Sequence, residues 1–235
     1  MAQIDVRRAH DRMHTEIDWL DSWHSFSFGG HHEPGNTGHG HLLVLNDDTV
    51  APAGGFGTHG HADMEIVTWV LEGSLAHRDD QGDEGIIEPG HAQRMSAGTG
   101  IRHSEHNASD TEPVHFLQMW VPPDRRGVAP GYEQRDVNDA LAGGGLVAVA
   151  SGQGHDGAVT IHRADAVLWV ARLAAGSSVD VPAGGHVHVF VAVGDAVLSE
   201  AGPLATGDAV RLTDSGPLTL TAGTDGAEVA IWVTD

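Results

Sequence analysis

The amino-acid sequence predicts an all-β protein made of two consecutive domains of antiparallel strands. In the first half, short runs of strand-forming residues alternate with glycine-rich turns, as expected for strands joined by hairpins. Two of the predicted strands carry side chains that can bind a metal, in His59-Gly60-His61 and His103-Ser104-Glu105. In the second half, Gly, Asp and Ser separate short apolar runs at the spacing typical of a sandwich or small barrel.

Turns and strands alternate along the first half in a regular order. A glycine turn at 54–57 precedes the first histidine run, and the β-branched run 65–71 follows it. Further turns lie at 72–74, 88–90 and 96–100, and His103 stands just beyond the last of them. This order places the metal-capable side chains on the first and last of several strands, which antiparallel pairing inside a barrel can bring together.

The second half is predicted to begin after a linker rich in Pro and Gly. The stretch 121–131 has a linker composition, and 136–145 continues it with one short helical turn. Six apolar runs follow, at 146–150, 166–173, 186–193, 209–212, 218–221 and 228–233. The sequence therefore predicts two domains, 1–130 and 131–235, with the metal site in the first.

Each metal-capable run offers two side chains on one face of its strand, because residues two apart in an extended strand point to the same side. His59 and His61 form one pair, and His103 and Glu105 form the other. Together the pairs make a site of three imidazoles and one carboxylate.

Chance also produces histidine pairs in this chain, since it contains 18 His. The runs 39–41 and 186–188 have the same spacing. The run at 59–61 differs from them because a second pair follows at a suitable distance and glycine turns flank both. After the run 186–188, no histidine stands at 212–220, where a third ligand is needed. The second domain is therefore predicted to be a degenerate repeat that serves packing, and a weak metal site at 186–188 is the alternative.

Four longer motifs lie between Trp19 and Tyr132. They are His-Ser-Phe-Ser-Phe at 24–28, Phe-Gly-Thr-His-Gly-His-Ala-Asp-Met-Glu at 56–65, Met-Ser-Ala-Gly-Thr-Gly-Ile-Arg-His-Ser-Glu at 95–105 and Gln-Met-Trp-Val at 118–121. The two middle motifs resemble the two metal-binding motifs of cupins. The whole set resembles the pirin-like bicupins, most closely the bacterial members described as quercetin 2,3-dioxygenases. The similarity is dense from Trp19 to Tyr132 and thin afterwards.

The resemblance implies a bicupin fold: two tandem antiparallel β-barrels of the double-stranded β-helix or jelly-roll type, with little helix. It also implies the choice of carboxylate, which spacing leaves open. Most metal-binding cupins take it from the first motif, which corresponds to Glu65, whereas pirin-like proteins take it from the second, which corresponds to Glu105. The strand parity of His103 and Glu105 agrees with the second choice. We therefore expect His59, His61, His103 and Glu105 as metal ligands, with a structural role for Glu65.

The expected cofactor is one divalent transition metal ion. Three imidazoles and a carboxylate suit Fe(II), Mn(II), Co(II), Ni(II), Cu(II) and Zn(II). Fe(II) is the most common assignment in the family that the chain resembles, and it is our first choice.

The resemblance further implies a dioxygenase. A flavonol-like substrate would bind the metal through its 3-hydroxyl and a neighbouring oxygen, Glu105 would help to remove the hydroxyl proton, and ring cleavage by O₂ would release carbon monoxide. Two other functions stay open: a regulatory protein that acts through a protein partner, as relatives in the pirin family do, and a cupin with isomerase or small-molecule binding activity.

Aromatic residues near the predicted site have two expected roles. Trp69 and Trp120 are expected to pack in the core. The mouth of the site is expected to be lined by His24, Phe26 and Phe28, because the amino-terminal segment of pirin-like proteins packs near the first barrel.

The composition excludes several classes of function. With 235 residues the chain can bury a full core, so folding need not depend on the metal. The absence of Cys excludes disulfides, thiolate catalysis, zinc fingers and iron–sulfur clusters. A formal charge of -21, from 33 acidic and 12 basic residues, argues against direct nucleic-acid binding. The polar amino terminus and the lack of a long apolar run predict no membrane segment and a cytoplasmic location.

Overall fold

The computed structural model describes residues 3–235, and it is almost entirely β-structure. Strands contain 57% of the residues and helices 3%. The first half has a 3₁₀ helix at Ala9–Asp11 and the strands β1 (Gln3–Arg7), β2 (Met13–Ile17), β3 (Leu20–His24), β4 (Val44–Val50), β5 (Gly55–His61), β6 (Glu65–Glu72), β7 (Leu75–Asp79), β8 (Glu84–Ile87), β9 (His91–Ser96), β10 (Ile101–Asn107), β11 (Val114–Val121) and β12 (Gly131–Asp136).

The second half begins with a four-residue helix where the sequence predicts one helical turn. Its elements are α1 (Asn138–Leu141), β13 (Val147–Ser151), β14 (Val159–Thr160), β15 (Val167–Leu173), β16 (Ser178–Val181), β17 (His186–Leu198), β18 (Gly202–Ala205), β19 (Ala209–Thr213) and β20 (Leu218–Thr234). None of the helices within residues 3–235 has the length and apolarity needed to cross a membrane.

Two apolar runs that the sequence predicts as separate strands form the single strand β20. The runs 218–221 and 228–233 are continuous because the chain stays paired to β17, with register shifts at Val191/Val193 and Gly194/Ala196. Gly226, between the two runs, has a φ of 81°, which glycine adopts without strain. The strand therefore bends at bulges without leaving the sheet.

Two sheets pack against each other in the first half. The seven-stranded sheet has the order β12-β9-β6-β11-β4-β3-β2, and the four-stranded sheet has the order β5-β10-β7-β8. An apolar cluster joins them, with Val50 and Phe116 from the first sheet and Leu75 and Ile87 from the second. The predicted all-β class is confirmed, as sheets of jelly-roll type rather than a closed ring of strands.

The second half is built on a nine-stranded sheet. Its order is β1-β19-β17-β20-β15-β13-β14, with β16 paired to β20 and β18 paired to β17. Strand β1 belongs to this sheet although it begins the described chain, whereas β12, which follows residue 130, belongs to the seven-stranded sheet. The two halves thus exchange strands, and the domain boundary between 1–130 and 131–235 stays a prediction.

The largest apolar core is shared by the two halves. It includes Trp69 and Met119 from the first half and Phe190 and Trp232 from the second, each no more than 1% exposed. The indole N–H of Trp69 donates to Glu228 at 2.7 Å, and that of Trp232 donates to the sulfur of Met119 at 3.1 Å. Burying large apolar side chains contributes roughly 1.5–3 kcal/mol each, so this interface makes the two halves depend on each other for stability.

Candidate metal centre

Strands β5 and β10 carry the four residues predicted as metal ligands. The strands pair antiparallel, with His59 directly opposite His103. Alternate side chains of β10 are buried, and both His103 and Glu105 are 2% exposed, as the period of a strand with one face in the core requires. A register shift between His103 and Glu105 adds one residue to β5. Such bulges often re-aim side chains beside a functional site.

Three imidazoles meet at one point. His59 Nε2 and His103 Nε2 lie 3.1 Å apart, and the ring centroid of His61 lies 4.8 Å from that of His59 and 5.0 Å from that of His103. One ring nitrogen from each residue lies within 4.8 Å of the other two. Neighbouring ligands that bind an ion at about 2.0–2.1 Å are separated by about 3 Å, so the spacing fits a shared metal ion.

Two of these imidazoles are held in the neutral form. Burial is the main cause that lowers the pKa of His61 to about 4, with a smaller contribution from His59. Burial, followed by the neighbouring His59, His61 and His77, lowers the pKa of His103 to about 2. A neutral imidazole keeps a lone pair on one ring nitrogen, which is the form that binds metals.

Glu105 lies next to His103 on the same face of β10. Its carboxylate accepts a hydrogen bond from Gln118 Nε2 at 2.8 Å, and burial raises its pKa to about 7. Glu105 forms a metal-capable group with His103 and His77, which overlaps the group of three imidazoles at His103. Imidazoles and a carboxylate are donors that divalent transition metals accept. The structure brings His59, His61 and His103 together, and Glu105 adjoins this group through His103 without being part of it.

Glu65, the alternative carboxylate, is fully buried but lies outside both donor groups. Its Oε2 accepts hydrogen bonds from Ser96 Oγ at 2.7 Å and from the backbone N–H of His162 at 3.2 Å. Since His162 belongs to the second half, these contacts tie the two halves together. The geometry agrees with a structural role for Glu65.

A chain of buried polar groups continues behind His103. His103 Nδ1 lies 3.5 Å from His77 Nδ1, and His77 Nε2 lies 3.4 Å from Asp79 Oδ2. Three backbone N–H groups donate to Asp79 Oδ1, and Tyr132 stacks on the His77 ring. Partners of this kind orient a metal-binding imidazole and tune its basicity. His77 and Asp79 were not among the predicted site residues, although they show the same two-residue spacing on β7.

A cavity of about 520 Å³ opens beside the imidazoles. The ring centroid of Trp120 lies 4.9 Å from that of His61, and Phe28 meets Trp120 edge-on at 5.5 Å. Other residues that line the cavity are Trp19, Leu20, Phe56, Glu105 and Gln118. The cavity therefore combines aromatic walls with the donor groups at one end.

One wall of this cavity carries a second polar cluster, on β3 and β4. Ser22 Oγ donates to Asp48, and His24 Nδ1 lies 2.8 Å from Asn46 Oδ1. Burial raises the pKa of Asp48 to about 7, a value suited to exchanging a proton near neutral pH. This cluster was not among the predicted site residues; the available signal was the alternation of Asn46 and Asp48, which places both on one face of β4.

The expected roles of the aromatic segment hold in part. His24 and Phe28 line the cavity, as predicted, whereas Phe26 is 1% exposed and packs in the shared core. Trp69 lies in that core, as predicted. Trp120, which was expected in the core, lines the cavity instead, because its face of β11 also carries Gln118 and points towards the donor groups.

The histidine run 186–188 has no comparable donor group. Within residues 3–235, the metal-capable groups of three or more side chains are the two that share His103. His188 is 1% exposed and lies opposite Arg211 on the paired strand β19. This placement agrees with a second half that has lost its metal site.

Two family models match the chain. The Pirin model matches residues 5–121, and the model of the quercetinase C-terminal cupin domain matches residues 148–231. The two matches follow each other along the chain, as expected for a bicupin.

Curated relatives cover most of the chain. A Mycobacterium tuberculosis protein named "Putative quercetin 2,3-dioxygenase" is 54% identical over 232 residues, which are 98% of this chain and 95% of the relative. An Escherichia coli protein named "Quercetin 2,3-dioxygenase" is 47% identical over 160 residues, 68% of each chain.

Solved structures show the same architecture. The crystal structure of YhhW from Escherichia coli superposes with a TM-score of 0.92 at 36% identity, covering 99% of this chain and 98% of YhhW. A second structure, of bacterial pirin YhhW in complex with nickel(II), gives a TM-score of 0.90 with 99% of each chain covered at 36% identity. A quercetin 2,3-dioxygenase from Acinetobacter baumannii shares the fold at 23% identity, with a TM-score of 0.76 and coverage of 95% of this chain and 83% of the other.

Proposed function

This chain belongs to the pirin family, and we propose that it is a metal-dependent dioxygenase of the quercetin 2,3-dioxygenase type. Its substrates are O₂ and a flavonol or a related enol or catechol-like ring, and carbon monoxide is a product. Relatives at 54% and 47% identity carry the quercetin 2,3-dioxygenase name. A cytoplasmic location stays a prediction.

The observation that carries the proposal is a cavity with aromatic walls that His59, His61 and Glu105 line, with His103 packed against His59. At about 520 Å³, the cavity falls within the roughly 300–1,000 Å³ of small-molecule sites. Rings such as Phe28, Phe56 and Trp120 suit a flat, polycyclic ligand, since aromatic groups pack favourably edge-on or offset-stacked. The donors next to them suit a ligand that presents oxygen atoms to a metal ion.

Each residue at the site has a distinct task in this proposal. His59, His61, His103 and Glu105 hold the ion, which when bound supplies Lewis-acid polarisation of the substrate's oxygen atoms. Glu105 also accepts the proton of the substrate hydroxyl, and the Gln118 amide, which donates to it at 2.8 Å, holds the carboxylate in place. The apolar walls exclude water, which strengthens the electrostatic interactions inside the cavity.

The identity of the ion is part of the proposal. Fe(II) stays the first choice, and Mn(II), Co(II), Cu(II) and Zn(II) suit the same donors. Ni(II) also belongs in the set to be tested, because the related YhhW was crystallised in complex with nickel(II).

Turnover of quercetin tests the proposal. Protein reconstituted with each metal, mixed with quercetin in air, should bleach the flavonol absorbance, consume O₂ in proportion and release carbon monoxide. His103→Ala and Glu105→Ala should react only at the uncatalysed rate, because holding both reactants in place contributes several kcal/mol. The control is His106→Ala, an exposed residue on the opposite face of β10, which should keep the wild-type rate.

The same experiment can reject the proposal. If no reconstituted metal form releases carbon monoxide, the chain is not a flavonol dioxygenase, and a binding or regulatory function takes its place.

A further inference from the structure

The second histidine run faces an arginine on its paired strand, whereas the first run faces a third histidine. In the first half, His59 lies directly opposite His103 on the paired strand. In the second half, His188 lies directly opposite Arg211 on the paired strand β19. A guanidinium carries a permanent positive charge. Arg211 therefore places a positive charge directly beside the second histidine run.

Arg211 is buried, and the contacts of its guanidinium are neutral. The residue is 6% exposed, and its Nη2 donates to the carbonyl of Ser25 and to Asn36 Oδ1, both at 2.8 Å. Its Nε is buried and has no hydrogen-bond partner within residues 3–235. Asp5, directly opposite on β1, accepts a hydrogen bond from Arg7 at 2.8 Å instead. The carboxylates of Asp5 and Glu33 act on Arg211 only from a distance, since neither accepts a hydrogen bond from it within residues 3–235. A buried charge without a direct counter-charge is costly, so an anion beside Arg211 would stabilise this region.

His188 also lacks hydrogen-bond partners in the described part of the chain. It is 1% exposed, and neither Nδ1 nor Nε2 is bonded. Burial, followed by the charge of Arg211, lowers the pKa of His188 well below 6.5, so the ring is neutral and has one N–H to donate. Buried polar groups almost always find partners. Two adjacent donors without an acceptor therefore indicate that an acceptor binds between them.

Both side chains line a cavity of about 180 Å³, which gathers arginines. Four of the chain's 12 basic residues line it, in a protein whose formal charge is -21. Besides Arg211 they are Arg7, Arg8 and Arg12, and each of these three donates to a carboxylate at 2.6–2.9 Å. The acidic residues of the lining, Asp11 and Glu33, are exposed, whereas Arg211 and His188 are buried. The positive charge thus lies in the depth of the cavity.

We propose that this cavity binds a small oxyanion, a carboxylate or a phosphate, through Arg211 and His188. The planar guanidinium offers parallel N–H donors that match two oxygen atoms of such a group, and the imidazole of His188 adds a further donor. A volume of about 180 Å³ admits inorganic phosphate or a short-chain acid, and it lies below the roughly 300–1,000 Å³ of drug-sized ligand sites. The site does not depend on the proposed dioxygenase activity.

Isothermal titration calorimetry of the metal-loaded protein tests this site. The titrants are inorganic phosphate, acetate and succinate, with ionic strength held constant by chloride. At least one of them should bind saturably with one site per chain, and the preferred titrant distinguishes a phosphate site from a carboxylate site. Arg211→Gln should weaken that binding about 10- to 100-fold, because charge-assisted hydrogen bonds are the strongest of their kind.

Three further variants separate the proposal from its alternatives. Arg135→Gln removes the same charge from an exposed position on β12 and should leave the affinity unchanged. His103→Ala should also leave it unchanged, which distinguishes this site from an anion bound to the metal. His188→Leu keeps the contacts of Arg211 with Ser25 and Asn36 and should weaken binding several-fold, so it decides the question if Arg211→Gln does not fold. The proposal is overturned if none of the three anions binds saturably, or if His188→Leu and a folded Arg211→Gln bind as the wild type does.

Discussion

The histidine runs 59–61 and 186–188 share the same spacing but differ in what the neighbouring strand brings to them. Beside the first run, β10 supplies His103, and two ring nitrogens approach to 3.1 Å. Beside the second run, β19 supplies Arg211. A divalent ion is favoured among neutral imidazoles and repelled by a guanidinium. Two histidine pairs of equal spacing therefore have different surroundings, and the difference comes from the paired strand.

The cavities beside the two runs differ accordingly. The first is about 520 Å³ and has aromatic walls, whereas the second is about 180 Å³ and has four arginines. One half thus has the features of a metal centre with room for a flat organic molecule. The other has those of a small anion site.

The largest loss of metal affinity is expected when the carboxylate of Glu105, on β10, is removed. Glu105→Ala should lower metal affinity more than 100-fold, because loss of a direct ligand exceeds the roughly 10- to 100-fold effect of losing an outer partner. Glu65→Ala should keep the metal, since Glu65 contacts Ser96 and His162 rather than the imidazoles. Equilibrium dialysis against buffered metal measures both. A metal-free Glu65→Ala protein together with a metal-loaded Glu105→Ala protein would show that the first motif supplies the carboxylate.

A smaller loss of metal affinity is expected when His77, which contacts His103, is replaced. His77→Ala removes the imidazole that connects His103 to Asp79, and metal affinity should fall about 10- to 100-fold. His106→Ala, on the exposed face of β10, is the matched control and should bind metal as the wild type does. Equal metal affinities of His77→Ala and the wild type would show that His77 does not support metal binding.

Strand positions were predictable from the sequence, and the way in which the strands assemble was not. The run 166–173 became β15 (Val167–Leu173), and the run 209–212 became β19 (Ala209–Thr213). The pairing of β1 with β19 and of β12 with β9 was not foreseen. Periodicity reports which face of a strand is buried and leaves open which strand lies next to it. For the same reason, the local pattern predicts two strands where the structure has the single bulged strand β20.

In the candidate site, too, features within one strand were predictable and contacts between strands were not. A spacing of two residues placed His103 and Glu105 on one face, and the structure buries both. The contact of His77 with His103, the lining of the cavity by Asp48 and the place of Arg211 opposite His188 all involve different strands. Such contacts depend on register between distant segments, which local spacing does not contain.

Chelation tests whether the difference between the halves extends to stability. Removing a metal present at about 100 times its Kd costs about 2.7 kcal/mol, which corresponds to a fall in Tm of about 5–10 °C for a chain of this size. The far-UV circular dichroism spectrum should stay that of a β-protein. Calorimetry should show one transition, because the two halves share their largest core. Two transitions, of which only one shifts with EDTA, would show halves that unfold independently, and a coil-like spectrum would show a structural metal.

The smallest expected effect is on the pH dependence of stability, and it depends on Asp48 in the cavity of the first half. Burial raises the pKa of Asp48 from 3.8 to about 7, so the folded state binds this proton more tightly than the unfolded state. Its contribution to the free energy of unfolding is present below about pH 4 and is lost as the pH rises to about 7. Asp48→Asn should therefore reduce the loss of stability between pH 5 and pH 8 by about 1–3 kcal/mol, measured by denaturant titration of the metal-free protein. The exposed Asp110→Asn serves as the control, and equal pH dependence in Asp48→Asn and the wild type would contradict the prediction.

The number of metal ions per chain shows whether the first half alone binds a metal. Protein reconstituted with Fe(II) or Ni(II), freed of excess metal by gel filtration, would be analysed by inductively coupled plasma mass spectrometry. We expect one ion per chain in the wild type and in His188→Ala, and none in His103→Ala. Two ions per chain in the wild type, or an ion that His103→Ala keeps and His188→Ala loses, would contradict this expectation.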